Sequence, residues 1–208
     1  LHDSGYIRRN SESGVENGAV FTKVHVSRSA EFLLSYLPTI GFAAEANTAA
    51  QLTHFTGYEL DFEKIELEDA KDRLLGCIVG TSDLIAQMAD RQYIEKCRDF
   101  LYWEFVWAGI AREIQPDGSE IVRYASATDL VIKTPGFYQY LARPRLDKRL
   151  QGVERYAAAH LDGRNLYQEE IARNMRFLHE TIEKGEFDRL RRVAHSMSHP
   201  VPDRPRGD

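Results

Sequence analysis

Apolar residues recur at the spacing of an α-helix along most of this chain. From Ser27 onward, Ala30, Phe32, Leu33, Leu34 and Leu37 form such a pattern, which Pro38 should end. The pattern resumes over 43–55 through Ala46, Ala49, Ala50 and Leu52. A longer helix is predicted from about Glu66 into the nineties. Another is predicted over 92–113, rich in aromatic side chains (Phe100, Tyr102, Trp103, Phe105, Trp107). Thr134-Pro135 has the form of an N-cap followed by the first helical position, and Arg143-Pro144 that of a terminator. Residues 165–184 place Leu166, Ile171, Met175, Leu178 and Ile182 on one face, with Gly185 as the stop. Between these runs, 7–22 reads as a loop, the acidic stretch 57–69 as a solvated loop and helix start, and Pro116-Asp117-Gly118 as a turn. No segment alternates at the two-residue period of a strand, and no internal repeat occurs. The predicted fold class is all-α.

With 208 residues, the chain is long enough for one well-buried domain and short for two. Hydrophobic residues make up 43% and charged residues 28%, a globular rather than a disordered mix. The formal charge of −5 argues against an extended nucleic acid as partner. Two cysteines, Cys77 and Cys97, build neither a disulfide scaffold nor a zinc ribbon, and their scarcity fits a cytoplasmic setting. No apolar run reaches the roughly 18 residues of a membrane span. The chain begins at Leu1 rather than Met and runs at once into a candidate motif, so a preceding segment is expected. Residues 193–208 read as a flexible tail.

One segment stands out chemically. From Leu74 through Ala89 the only charged residue is Asp83, so the stretch reads as a buried helix. Gly76 and Gly80, four apart, would let another helix approach it closely. A lone buried carboxylate is costly unless it is paired, hydrogen-bonded or bound to a cation. Of the seven histidines, His160, His179, His195 and His199 read as surface or packing residues, whereas His2, His25 and His54 precede Asp83. Imidazole nitrogen together with carboxylate oxygen suits zinc, manganese or iron.

The order His2-Asp3, His25, His54, Asp83 resembles the HD superfamily of metal-dependent phosphohydrolases. Local contexts carry the resemblance further. Leu1-His2-Asp3-Ser4-Gly5-Tyr6 is similar to the family's LHDxG stretch, and Lys23–Ala30 resembles the start of the helix bearing its next His. Ser82-Asp83-Leu84 resembles the "ADL" signature around the last ligand, and Gly80–Asp90 is similar to bacterial HD-domain proteins. The resemblance covers roughly residues 1–112. It implies a multi-helix HD bundle there, with 113–192 as a C-terminal helical extension packed on it.

The resemblance also implies chemistry: hydrolysis of a phosphate mono- or diester, possibly of a nucleotide, by a metal-bound hydroxide. His2, Asp3 and Asp83 would hold a first metal, with Asp3 as the catalytic, bridging carboxylate. His25 and His54 would hold a second metal or contact phosphate. One or two divalent ions (Mn, Zn, Fe, Mg or Ni) are implied as cofactors, and a small phosphorylated molecule as substrate. Arg8, Arg9 and Lys23 are the candidate phosphate contacts, and Asp90 is a competitor for the role of Asp83. The cluster Arg143, Arg145, Lys148 and Arg149 has two readings, a face for an anionic substrate and, the preferred one, a solvated helix face. The chain departs from the family in lacking a counterpart of its first His. Tyr6 stands where the HD-GYP branch has Lys, and the HHExxDGxGYP stretch is absent, with Gly57-Tyr58-Glu59 only an echo of it. Two other readings stand beside hydrolysis: an inactive HD-like regulatory domain that binds a nucleotide or protein partner, and a helical interaction module.

Overall fold

The computed structural model describes residues 1–192, and the tail assigned to 193–208, with His195 and His199, lies outside the described residues. The fold is an all-α bundle. Helix α1 (His25–Tyr36) buries Val26, Ala30 and Leu33 and packs on α2 (Ala46–Thr53) through Ala46 and Ala50. Pro38 ends α1 as expected, but it opens a 3₁₀ turn, Leu37–Ile40, rather than coil. Helix α3 (Ala70–Ala89) starts behind Asp69, whose side chain accepts a hydrogen bond from Lys71 N at 2.6 Å. It turns Cys77, Ile85 and Met88 inward, while Leu75 and Ile78 are exposed, so the helix is one-sided rather than buried throughout. Its two glycines meet the chain just past α2. A Cβ on Gly76 would lie 2.5 Å from the Phe55 ring, and one on Gly80 2.3 Å from the Phe55 carbonyl oxygen.

The aromatic-rich run is shorter than predicted. Helix α4 (Tyr93–Lys96), a π-helical turn (Cys97–Leu101) and α5 (Tyr102–Trp107) follow without a break. The chain then folds back, Ile110 N and Ala111 N both donating to Phe105 O. It enters a hairpin whose strands β1 (Arg112–Ile114) and β2 (Glu120–Val122) pair antiparallel, Glu113 opposite Ile121. These strands correct the expectation of none. They are three residues long and mostly exposed, too short and too wet to show an alternating pattern.

The proline-based boundaries also give way. Helix α6 (Ala127–Phe137) begins at Ser126, whose hydroxyl accepts from Asp129 N at 3.1 Å, and Pro135 lies inside it. The run continues through π-helical turns, Tyr138–Ala142 and Arg145–Arg149, past Pro144. Proline removes one ladder hydrogen bond and crowds the carbonyl four residues back; wide π turns beyond each proline accommodate both effects. Helix α7 (Arg155–His160) leads to α8 (Leu166–Lys184), which starts at the Asn165 cap and stops at left-handed Gly185, as its pattern predicted.

One hydrophobic cluster ties the chain together: Phe55, Met88, Val131, Leu146, Ile171 and Leu178 all belong to it. Each such fully buried Leu or Ile side chain contributes about 1.5–3 kcal/mol. Residues from either side of position 112 therefore share one core. Among the described residues no helix is long and apolar enough to cross a membrane.

Candidate functional site

A single turn of 3₁₀ helix, Ser4–Tyr6, carries the His-Asp doublet to the start of α1. Gly5 makes this possible. It is buried, its N–H donates to Ser29 Oγ at 2.8 Å, and its carbonyl accepts from Arg28 Nε at 2.8 Å. A Cβ at that position would sit 1.9 Å from His25 O, so only glycine lets the turn seat this deeply. Asp3 Oδ1 consequently lies 3.7 Å from His25 Nε2.

His2 is the meeting point of the cluster. Its Nε2 is 3.2 Å from Asp3 Oδ2 and 3.3 Å from Asp83 Oδ1, the latter from the middle of α3. Asp83 is partly buried and also accepts from Gln87 Nε2 at 2.9 Å. No Lys or Arg pairs with it among the described residues. One imidazole nitrogen carries at most one proton, so Asp3 and Asp83 share a single donor.

The second histidine is held in a defined tautomer. His25 Nδ1 is 2.8 Å from Thr22 O, and a carbonyl only accepts, so the proton sits on Nδ1. Its Nε2 is turned toward Asp3. The ring stacks on Tyr6 at 4.4 Å between centroids. Tyr6 donates to Glu104 Oε1 at 2.9 Å, and burial, then the Glu104 charge, holds its hydroxyl far above the usual phenol range. Tyr6 therefore stays a protonated donor. Glu59 accepts from Val26 N and Ser27 N at 2.7 and 2.9 Å, capping α1 at its positive end, and its Oε1 lies 3.7 Å from His25 Nδ1.

His2, Asp3, His25 and Asp83 open into one cavity of about 920 Å³. Tyr6, Glu59 and Glu104 also line it, with Lys23, Lys133 and Arg145. Lys23 donates to Gly109 O at 3.2 Å. His54 does not reach this cavity. It ends α2 half-buried, with an unpartnered buried Nδ1 and no hydrogen bond or ion pair to the doublet. Burial lowers its pKa, opposed by the charge of Glu59. Arg8 and Arg9 line a separate hollow of about 400 Å³, where Arg9 pairs with Glu31 at 2.6 Å and Arg8 donates to Val15 O. Asp90 is taken by Lys96 at the end of α3.

Arg145 is the residue that sequence reasoning set aside. It is only 8% exposed, and its Nη2 donates to Phe55 O at 2.8 Å and Gly57 O at 2.6 Å. Its guanidinium carbon lies 4.0 Å from the centre of the Tyr58 ring. No carboxylate pairs with it among the described residues. Desolvation pulls its pKa down, while nearby Tyr58 and Asp83 work the other way. A signal was present: Ala142, Arg145 and Leu146 share one helical face, and both neighbours are fully buried.

No family model, curated protein or solved structure matches this chain. Among the described residues no group of three or more His, Cys, Asp or Glu is disposed to hold a metal ion. The donors nevertheless fit a divalent cation in kind and in pairs. Ligands at 2.0–2.2 Å from one ion stand roughly 3–3.5 Å from each other, and both His2 contacts, at 3.2 and 3.3 Å, fall in that range.

Proposed function

We propose that this chain is a metal-dependent phosphohydrolase with an HD-type site, acting on a phosphate mono- or diester. The observation that carries the reading is the contact of His2 Nε2 with both Asp3 and Asp83, which brings the doublet to the late Asp across the bundle. His2, Asp3 and Asp83 would hold a divalent cation, and His25 Nε2 faces the same space. The cation would supply Lewis acidity, lower the pKa of a water and neutralise charge on the phosphoryl oxygens.

Electrostatics supports the same reading. Two like charges about 4 Å apart repel by roughly 1–4 kcal/mol at effective dielectric constants of 80 to 20. An anionic ester therefore does not approach Asp3 and Asp83 without a cation between them. Arg145 supplies a further fixed positive charge on the cavity wall, in the role first given to Arg8 and Arg9. Tyr6 orients the His25 ring by stacking and does not ionise, so it adds no negative charge. Glu59 is occupied by two backbone N–H groups and acts through the position of α1.

One observation favours a second reading. The absence of a three-donor group among the described residues fits an HD-like regulatory domain that binds its ligand without turnover. Metal analysis after loading with Mn²⁺ or Zn²⁺, run beside hydrolysis of a phosphate mono- and diester panel, separates the two. The protein should hold metal and hydrolyse at least one ester. Asp83→Asn should fold with unchanged helicity yet lose metal and about 100-fold or more of the rate, since even outer-shell changes cost 10–100-fold. A protein that binds nucleotide but holds no metal and hydrolyses nothing would establish the second reading.

A further inference from the structure

The cavity has two chemically different walls. The N-terminal turn, α1 and the middle of α3 contribute His2, Asp3, His25 and Asp83, and Arg145 faces the same space. The other wall comes from the end of α3, the run α4–α5 and α6, through Leu84, Met88, Leu101, Phe105, Ile110 and Phe137. Asp83 adjoins Leu84 and lies about one turn of α3 before Met88, so the charged wall grades into the apolar one along a single helix.

Thr134, Tyr93, Cys97 and Lys133 on the apolar wall are already engaged, and Tyr124 lines the same cavity with its ring stacked on Phe105. Thr134 donates to Leu130 O at 3.0 Å. Tyr93 and Cys97 are hydrogen-bonded to each other, and Cys97 also meets Thr134. Lys133 is held by Arg123 O and Asp129 at 2.7 and 2.8 Å. A ribose or a nucleobase edge placed there would leave most of its own donors and acceptors unpaired, whereas a hydrocarbon body would lose nothing. A volume of about 920 Å³ lies at the upper end of small-molecule sites and exceeds what a phosphate group alone would fill.

We infer that the site takes an amphiphilic phosphate monoester, its anionic head at Arg145 and the His-Asp cluster and its alkyl or aryl body against Leu101, Phe105 and Phe137. This rests on the proposed metal site for binding of the head and on the phosphohydrolase reading for turnover. Hydrolysis of such an ester consumes one water and releases the apolar alcohol and inorganic phosphate. The reaction is a route from an activated or charged lipid-like alcohol to its neutral form.

The test uses the full chain loaded with Mn²⁺. Calorimetry would follow butyl-, hexyl- and octylphosphonate, which cannot be hydrolysed, below their micellar concentrations. Affinity should rise by about two- to fourfold per methylene, as burial of CH₂ groups requires. Leu101→Gln, which keeps the side chain's size, should flatten that dependence without abolishing binding of the butyl compound. Octanol should bind at least tenfold more weakly than octylphosphonate if the anionic head is read. In parallel, octyl and naphthyl phosphates should be hydrolysed faster than AMP or glycerol phosphate. Affinity independent of chain length, or hydrolysis that favours AMP, overturns the inference and leaves the hydrolase intact. Chain-length-dependent binding with no hydrolysis of any ester upholds the inference and removes the hydrolase reading. Failure of both binding and hydrolysis removes both.

Discussion

Asp83 shows how much a single residue's neighbours decide. By composition it is one acid in an apolar segment; in the fold it shares His2 with Asp3 and leans on Gln87. Without a cation it is a poorly compensated carboxylate, so metal-free Asp83→Asn should melt no lower than the metal-free native chain. Chelated thermal melts of the two would check this; a fall of about 3 kcal/mol or more would make Asp83 a structural partner instead. Cys97 gives a cleaner case. It is 3% exposed, and burial pushes its thiol up to about 12. The unfolded chain ionises this thiol first, so its contribution to stability is complete below the ordinary thiol pKa of about 8.5 and fades as pH rises toward 12. At pH 8 the native chain should leave Cys97 and the equally buried Cys77 unmodified by a thiol reagent, with both reacting once denaturant is added. Two fast-reacting thiols in the native state would contradict the packing.

At the scale of elements, the close pass of α3 over Phe55 sets the distance between the two sides of the site. Phe55 and Gly57 hold Arg145, and Gly80 lies against the Phe55 carbonyl. Gly80→Ala should cost about 1–3 kcal/mol or more, because the carbonyl 2.3 Å from the new Cβ is backbone and must shift. Gly136, in α6 with open space around it, provides the contrast: Gly136→Ala should stabilise by roughly 0.5–1 kcal/mol. Urea unfolding of both variants measures the difference, and equal effects would place the contact elsewhere. The hairpin and the proline-bearing helix belong to the same scale. Helix boundaries inferred from Pro135 and Pro144 failed because π turns and tertiary packing carry the helix through both.

For the whole molecule, the main cluster decides cooperativity. Phe55 and Met88 pack with Val131, Leu146, Ile171 and Leu178, so this cluster draws on both sides of position 112, beside a small one of Ala30, Leu33 and Ala50 between α1 and α2. Far-UV circular dichroism and the fluorescence of Trp103 and Trp107 should therefore report one coincident unfolding transition. Leu178→Ala should lower its free energy by about 2–5 kcal/mol. Two separated transitions would mean that the later helices fold apart. The sequence by itself determined the all-α class and the helical runs with strong period, α8 most clearly, because side-chain periodicity and capping residues are local properties. It also singled out His2, Asp3, His25 and Asp83, whose types and order are readable without coordinates. Only the tertiary structure decided that His54, Arg8 and Arg9 stand apart from them and that Arg145 stands among them. Those outcomes depend on which faces of distant helices meet, and on a glycine-seated turn whose depth no local pattern records.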